Sequence, residues 1–214
     1  MKRLLLIALA TIILFTLASA AWYYSKFYTG EKSHKTAAIP EAAKLKQTLK
    51  EQANLMLPFI KKNNYNTEIC FLVDMKVASG SNRFFIYDLK KDSALDAGLV
   101  THGRCNKNWL NGRKYDNKIG CGCTSLGKYR IGKPYQGRFG LAYKLHGLDS
   151  TNSNAFKRYV VLHSHDCVPN QEVDPHPICQ SDGCPTVSPA FLKKLATIID
   201  ASPKPILLCI SDDQ

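Results

Sequence analysis

The chain of 214 residues is 45% hydrophobic and 21% charged, the make-up of one folded domain, or one domain with a short arm, whose core does not need disulfides to hold it together. Its formal charge of +12 at pH 7 comes from cations scattered along the chain. With no long basic run, no nucleic-acid-binding motif and no phosphate-binding glycine loop, nucleic acid and nucleotides are not expected partners.

Lys2 and Arg3 precede an apolar run from Leu4 to Leu17, followed by Ala18-Ser19-Ala20. A basic start, a short apolar segment and a small-x-small end predict a secretory signal over 1–20, and the run is shorter than the ~20 residues a membrane span needs. The chain is therefore expected to be exported to the periplasm or cell envelope, a monomer with no membrane span once the signal is cut. The alternative is an uncleaved anchor, since Ala21, Trp22, Tyr23 and Tyr24 extend the apolar character. For an exported basic chain, an anionic wall polymer suits the charge better than DNA does.

Residues 21–39 are polar and without period, and read as a flexible arm. Pro40 opens a predicted N-terminal helix within 40–66, with Ala42, Leu45, Leu49, Ala53, Met56 and Ile60 on one face and Pro58 limiting its last turn. Residues 67–214 form the predicted main domain. Its β-rich runs are 68–75, 83–89 and 95–102, with turns at Gly80-Ser81-Asn82 and Lys90-Lys91-Asp92. A long loop, 103–125, precedes strand-like pieces at 128–131, 138–145 and 158–164, and a second loop spans 165–185. Ser188-Pro189 is a helix start, with serine as N-cap and proline at the first helical position, and 205–210 is a buried last strand. The expected class is mostly β or α+β.

Eight cysteines follow the signal. Cys70 and Cys209 sit in apolar runs and read as small core residues. Cys105, Cys121, Cys123, Cys167 and Cys179 are candidates for disulfides in an oxidising compartment, with Cys121 or Cys123 bonded to Cys105 preferred. If Cys184 stays free for chemistry, at least one other cysteine does too.

The chemistry concentrates in two stretches, Arg158-Tyr-Val-Val-Leu-His163-Ser164-His165 and Ser181-Asp182-Gly183-Cys184-Pro185. An apolar strand delivers His163 to its end, and the second loop brings Cys184 back. A thiol is a weak nucleophile until a base takes its proton, and an imidazole is the usual base. Gly183 permits an unusual backbone angle or close approach beside the cysteine. The N–H groups of Gly183 and Cys184 are placed to face an oxyanion, and the Ser164 carbonyl to orient the imidazole. His102 is expected to shape its turn or line the cleft.

Five blocks, 99–103, 124–132, 134–149, 154–165 and 181–188, resemble in order and spacing the L,D-transpeptidase catalytic domain of the YkuD type, over roughly two thirds of the chain. The resemblance implies a β-sandwich-like catalytic fold with one helix after the catalytic cysteine. It implies Cys184 as nucleophile, His163 as base, the Ser164 carbonyl as its orienter, Gly183 at the oxyanion hole and Ser181 ordering the motif loop. Arg158, Asp182 and His146 are expected near the substrate; Arg158 contacts it or braces the sheet. The implied reaction is acyl transfer at peptidoglycan stem peptides through a thioester, needing no metal or organic cofactor. Asp182 departs from the family pattern, and its carboxylate opposes thiolate formation unless it pairs with a cation. Gln180 also departs, standing where an arginine is frequent.

Three other readings compete. Water in place of the amine acceptor gives an L,D-carboxypeptidase. The crowding of His163, His165, Asp166, Cys167, His176, Cys179 and Cys184 fits a zinc-dependent wall peptidase, although no CxxC pair or HExxH helix is present. A disulfide at Cys184 would leave an inactive wall-binding module.

Overall fold

The computed structural model describes residues 2–212, and the chain divides into two units, 1–48 and 49–214. The first is helical throughout its described part. Helix α1 (Lys2–Lys62) supplies it and the start of the second unit. This differs from the expected arm over 21–39 and from a helix starting at Pro40. Proline lacks one N–H, and the helix runs on through it at the expense of that bond. Among the described residues no helix is long and apolar enough to cross a membrane.

In the second unit, Leu49, Ala53, Met56 and Ile60 are buried as their spacing predicts, while Ala42, in the first unit, is exposed. Gln52 donates to Ser211 Oγ at 2.7 Å. The helix ends on Asn64, whose left-handed φ of 58° lets Tyr65 N–H reach back to Ile60 O.

Strands β1 (Ile69–Asp74), β2 (Phe84–Asp88), β3 (Ser93–Gly98), β4 (Gly127–Gly137), β5 (Gly140–Gly147), β6 (Val161–Ser164), β7 (Thr186–Val187) and β8 (Leu207–Ser211) form one mixed sheet in the order β3-β2-β1-β8-β4-β5-β6-β7. The pairs β1–β8 and β6–β7 are parallel and the others antiparallel. Just past β3, Val100 bridges Val187 of β7, and Thr101 N–H donates to Thr186 O at 2.9 Å. The sheet thus curls until its two ends touch. The expected sandwich-like layering is achieved by one continuous sheet.

The curl encloses the core: Phe71, Val73, Phe84, Ile86, Tyr129, Tyr143, Leu162 and Leu208 from the strands meet Phe191, Leu192 and Leu195 of α2 (Pro189–Ala201). Phe84 lies edge-on to Phe191 with centroids 5.5 Å apart. Burial of these side chains, about 1.5–3 kcal/mol each, is what closes the curl.

Three strand boundaries differ from expectation. The third strand ends at Gly98, because 99–102 leaves β2 to meet β7. The sixth begins only at Val161, because Tyr159 adopts a left-handed φ of 57°. Arg138 and Phe139 form the tip of the β4–β5 hairpin. The two-residue β7 carried no periodic signal.

The cap of α2 is as read from the sequence, with Ser188 Oγ accepting from Phe191 N–H at 3.2 Å. Ser188→Ala is expected to lower unfolding free energy by about 1 kcal/mol with an unchanged denaturant slope; a loss under about 0.3 kcal/mol would show the cap to be idle.

Candidate active site

The parallel pairing of β6 with β7 sets the site. Its register places His163 beside Thr186, immediately downstream of the Ser181–Pro185 loop. His163 is buried. A carbonyl only accepts, so His163 Nδ1 donates to Ser164 O at 3.0 Å, as the resemblance implied. The basic lone pair of the neutral ring is then on Nε2, 3.0 Å from Thr186 Oγ1. Phe139, at the hairpin tip, stacks on the imidazole with centroids 5.1 Å apart and 16° between planes.

Cys184 is a free thiol and shares with His163 a cavity of about 240 Å³ that also presents Thr101, Arg104, Phe139 and Thr186. Its Sγ donates to Tyr159 O at 3.7 Å. Three hydroxyls converge on the Cys184 carbonyl: Ser181 at 2.7 Å, Thr101 at 3.2 Å and Thr186 at 3.3 Å. Ser181 Oγ also accepts from Gly183 N–H at 3.2 Å, so it ties both ends of the motif. That contact engages the Gly183 N–H, one of the two amides expected to face an oxyanion.

Gly183 has φ 109°, and a Cβ there would lie 2.5 Å from Cys123 O. Both conditions demand glycine. Cys123 is disulfide-bonded to Cys105, one of the two partners expected, and a second disulfide joins Cys167 to Cys179. Arg158 Nη2 donates to the same Cys123 carbonyl, while Nη1 reaches Asp116 O at 3.0 Å and Ser125 Oγ at 3.1 Å. Arg158 thus ties the loop that carries the disulfide, rather than the sheet, next to the residue before the nucleophile candidate.

Burial pushes the Cys184 thiol up, with Asp182 adding to the rise and a Val161 backbone bond and Arg158 opposing it. Burial pushes His163 down, opposed by its bond to Ser164 and aided by His165. Both groups are therefore neutral at rest. Asp182 is paired, with Arg104 Nε 2.7 Å from its Oδ1 in an exposed ion pair at the cavity rim. The cation that this departure from the family pattern required is thus present.

His146 is expected near the substrate. It lies four residues along β5 from Ala142, the register partner of His163, a separation of about 13 Å. There it stacks on Phe156 rather than lining the cysteine cavity. Cys167 and Cys179, weighed as zinc ligands, are spent in a disulfide. Among the described residues no group of three His, Cys, Asp or Glu side chains is arranged to hold a metal ion. Thr101, Arg104, Phe139 and Thr186 escaped the sequence reading. Only Thr186, two residues past the cysteine, carried a positional hint.

A family model described as L,D-transpeptidase catalytic domain matches residues 41–204. No curated protein sequence matches significantly. Among solved structures, the chain is similar to the Ldtfm–avibactam carbamoyl enzyme, at 12% identity over 69% of this chain and 50% of that one, TM-score 0.43. It is similar to the helical cell shape determining protein Pgp2 from Campylobacter jejuni, at 14% identity over 77% of this chain and 57% of that one, TM-score 0.42. It is also similar to L,D-transpeptidase from Xylanimonas cellulosilytica, at 11% identity over 68% of this chain and 61% of that one, TM-score 0.39. The chain spans 50% to 61% of the length of these three structures.

The neutral resting thiol has a direct readout. Followed by mass mapping of the Cys184 fragment, which separates it from the partly exposed Cys121 and Cys209, alkylation of Cys184 by iodoacetamide is expected to keep accelerating past pH ~8.5, the ordinary thiol range. A rate that levels off below about pH 7 would mean a preformed thiolate.

Proposed function

This chain belongs to the L,D-transpeptidase catalytic domain family, and on that premise we propose that it is an exported cysteine acyltransferase acting on peptidoglycan stem peptides, with Cys184 as nucleophile and His163 as base. The supporting observation is a free thiol in one cavity with an imidazole whose Nδ1–H is committed to Ser164 O. That bond fixes the tautomer and leaves Nε2 to take the proton.

The Thr186 hydroxyl has one hydrogen and two acceptors, His163 Nε2 and Cys184 O. Turned to the carbonyl, it leaves Nε2 open to the Cys184 proton. The sulfur then attacks the carbonyl carbon of the third, diamino acid residue of the stem, meso-diaminopimelate in this reading. The Cys184 N–H stabilises the oxyanion. Collapse breaks the C–N bond, His163⁺ gives its proton to the departing amine of D-alanine, and a thioester remains on Cys184. The side-chain amine of a second stem attacks that thioester, forming a 3–3 cross-link and returning the proton to the thiol. Water at the second step would give carboxypeptidase products. Residues 1–20 serve as the export signal, which puts the domain in the cell envelope as a monomer.

Incubation with disaccharide tetrapeptide, followed by mass, is expected to yield the cross-linked dimer with loss of D-alanine. Cys184→Ala is expected to lose at least about a thousandfold in rate, and full activity in that variant would end the assignment. His163 acts neutral and its pKa is lowered, so protonation sets in only below the ordinary imidazole value. Accordingly kcat/KM is expected to hold steady from pH ~7.5 down to ~6.5 and fall below that. An acid limb centred above that range would contradict His163 as the base.

A further inference from the structure

Beside the cysteine cavity lies a second one of about 290 Å³, and Gln180 lines both. Its floor holds Arg83, a fully buried arginine. Arg83 Nε and Nη2 donate to Val100 O at 2.9 and 2.7 Å, Nη2 also to His102 Nδ1 at 3.1 Å, and Nη1 to Val77 O at 3.3 Å. Arg113, exposed at the mouth, donates from Nη1 to the same Val77 carbonyl at 3.2 Å. Two guanidinium groups therefore converge on one acceptor. Among the described residues lining the cavity there is no aspartate or glutamate. The acids acting on Arg83, Asp74 and Asp212, stand outside it.

The concentration of positive charge is felt by its neighbours. Burial, and next the charge of Arg113, lower Arg83 to about 10; burial, and then Arg83 and Arg113, lower His102 to about 4. Like charges held this close raise one another's energy until an anion enters. The cavity is also coupled to the nucleophile. Gln180 clamps Leu110 in both directions, its Oε1 accepting from Leu110 N–H and its Nε2 donating to Leu110 O, each at 2.8 Å, which holds Trp109 over the opening. Ser181 N–H donates to His102 O at 2.9 Å, and Thr101 reaches Cys184 O.

We infer that this cavity is a carboxylate-binding subsite for the peptide whose carbonyl Cys184 attacks, with the Arg113 fork as the accessible contact and Arg83 as the buried cation behind it. The inference rests on the acyl-transfer reading above. A guanidinium pairs two N–H groups with the two oxygens of a carboxylate, which an amide cannot match. Gln180 lines both cavities, so a peptide held at Cys184 has the second cavity next to it, and its free carboxylates lie within a few residues of the reacting carbonyl, at about 3.3 Å per residue when extended.

The test is calorimetric binding to the Cys184→Ala protein of a synthetic tetrapeptide and of its three single amides, at the C-terminal D-alanine, the diamino acid and the glutamate α-carboxylate. One amidation is expected to weaken Kd at least tenfold, and that one identifies the carboxylate. Arg113→Gln is expected to weaken the unmodified peptide equally and to leave the critical amide within about twofold, and Arg113→Lys to restore part of the loss. The subsite is overturned if no single amide binds more weakly, or if Arg113→Gln binds the unmodified peptide as its parent does. It is equally overturned if the loss is uniform over all four peptides. Release of D-alanine by the protein with Cys184 intact reports on the acyl-transfer reading separately: release without Arg113 dependence sinks the subsite alone, and Arg113-dependent binding without release sinks only the chemistry.

Discussion

The carbonyl of Cys123 is where the architecture of the site converges. It is approached from one side by Gly183, with no room for a Cβ, and from another by the Arg158 guanidinium. One peptide group thereby fixes the residue before the nucleophile and the turn before β6, which carries the base. The disulfide to Cys105 and the Arg158 bonds to Asp116 O and Ser125 hold that carbonyl still. Hydrogen bonds to a charged group are worth about 1.5–3 kcal/mol each. Each of the three Arg158 bonds is accordingly comparable in strength to the burial of one core side chain, and together they act beside the cavity that holds thiol and imidazole.

On this frame the electrostatics follow from burial. A thiol and an imidazole taken out of water each favour the uncharged form, so the resting pair is neutral and Nε2 rests on Thr186. Asp182, which by its charge alone would hold the thiol protonated, is turned outward onto Arg104, and at an exposed rim this pair shapes the entrance more than it stabilises the fold. The adjoining cavity has the opposite character, with cations gathered and no carboxylate among the described residues lining it.

Much of this was legible in the chain. The strands at 69–74, 84–88 and 207–211, the Ser188 cap and the placement of His163 at a strand end follow from local pattern, because apolar runs and capping residues act over a few positions. The pair Cys184 and His163 was legible through ordered motif blocks. What stayed hidden depends on contacts between distant segments. Two-residue β7 exists only because β6 and Val100 are there to pair with it. Arg83 reads as an ordinary strand-start cation until the 99–113 loop buries it. How far along β5 His146 stands from the register partner of His163 is decided by register alone. The continuity of α1 through 21–39 was missed because polar, aperiodic composition gives no helix signal.

The proposed chemistry stands or falls with a covalent bond between the Cys184 sulfur and the diamino acid carbonyl. Rapid acid quenching of the enzyme during turnover of tetrapeptide, followed by proteolysis and mass mapping, tests it most directly. The expected product is a hydroxylamine-sensitive adduct with the mass of the peptide lacking its terminal D-alanine, located on the fragment that contains Cys184. Turnover with that fragment unmodified at every time point, or with the adduct on Cys121, would contradict it.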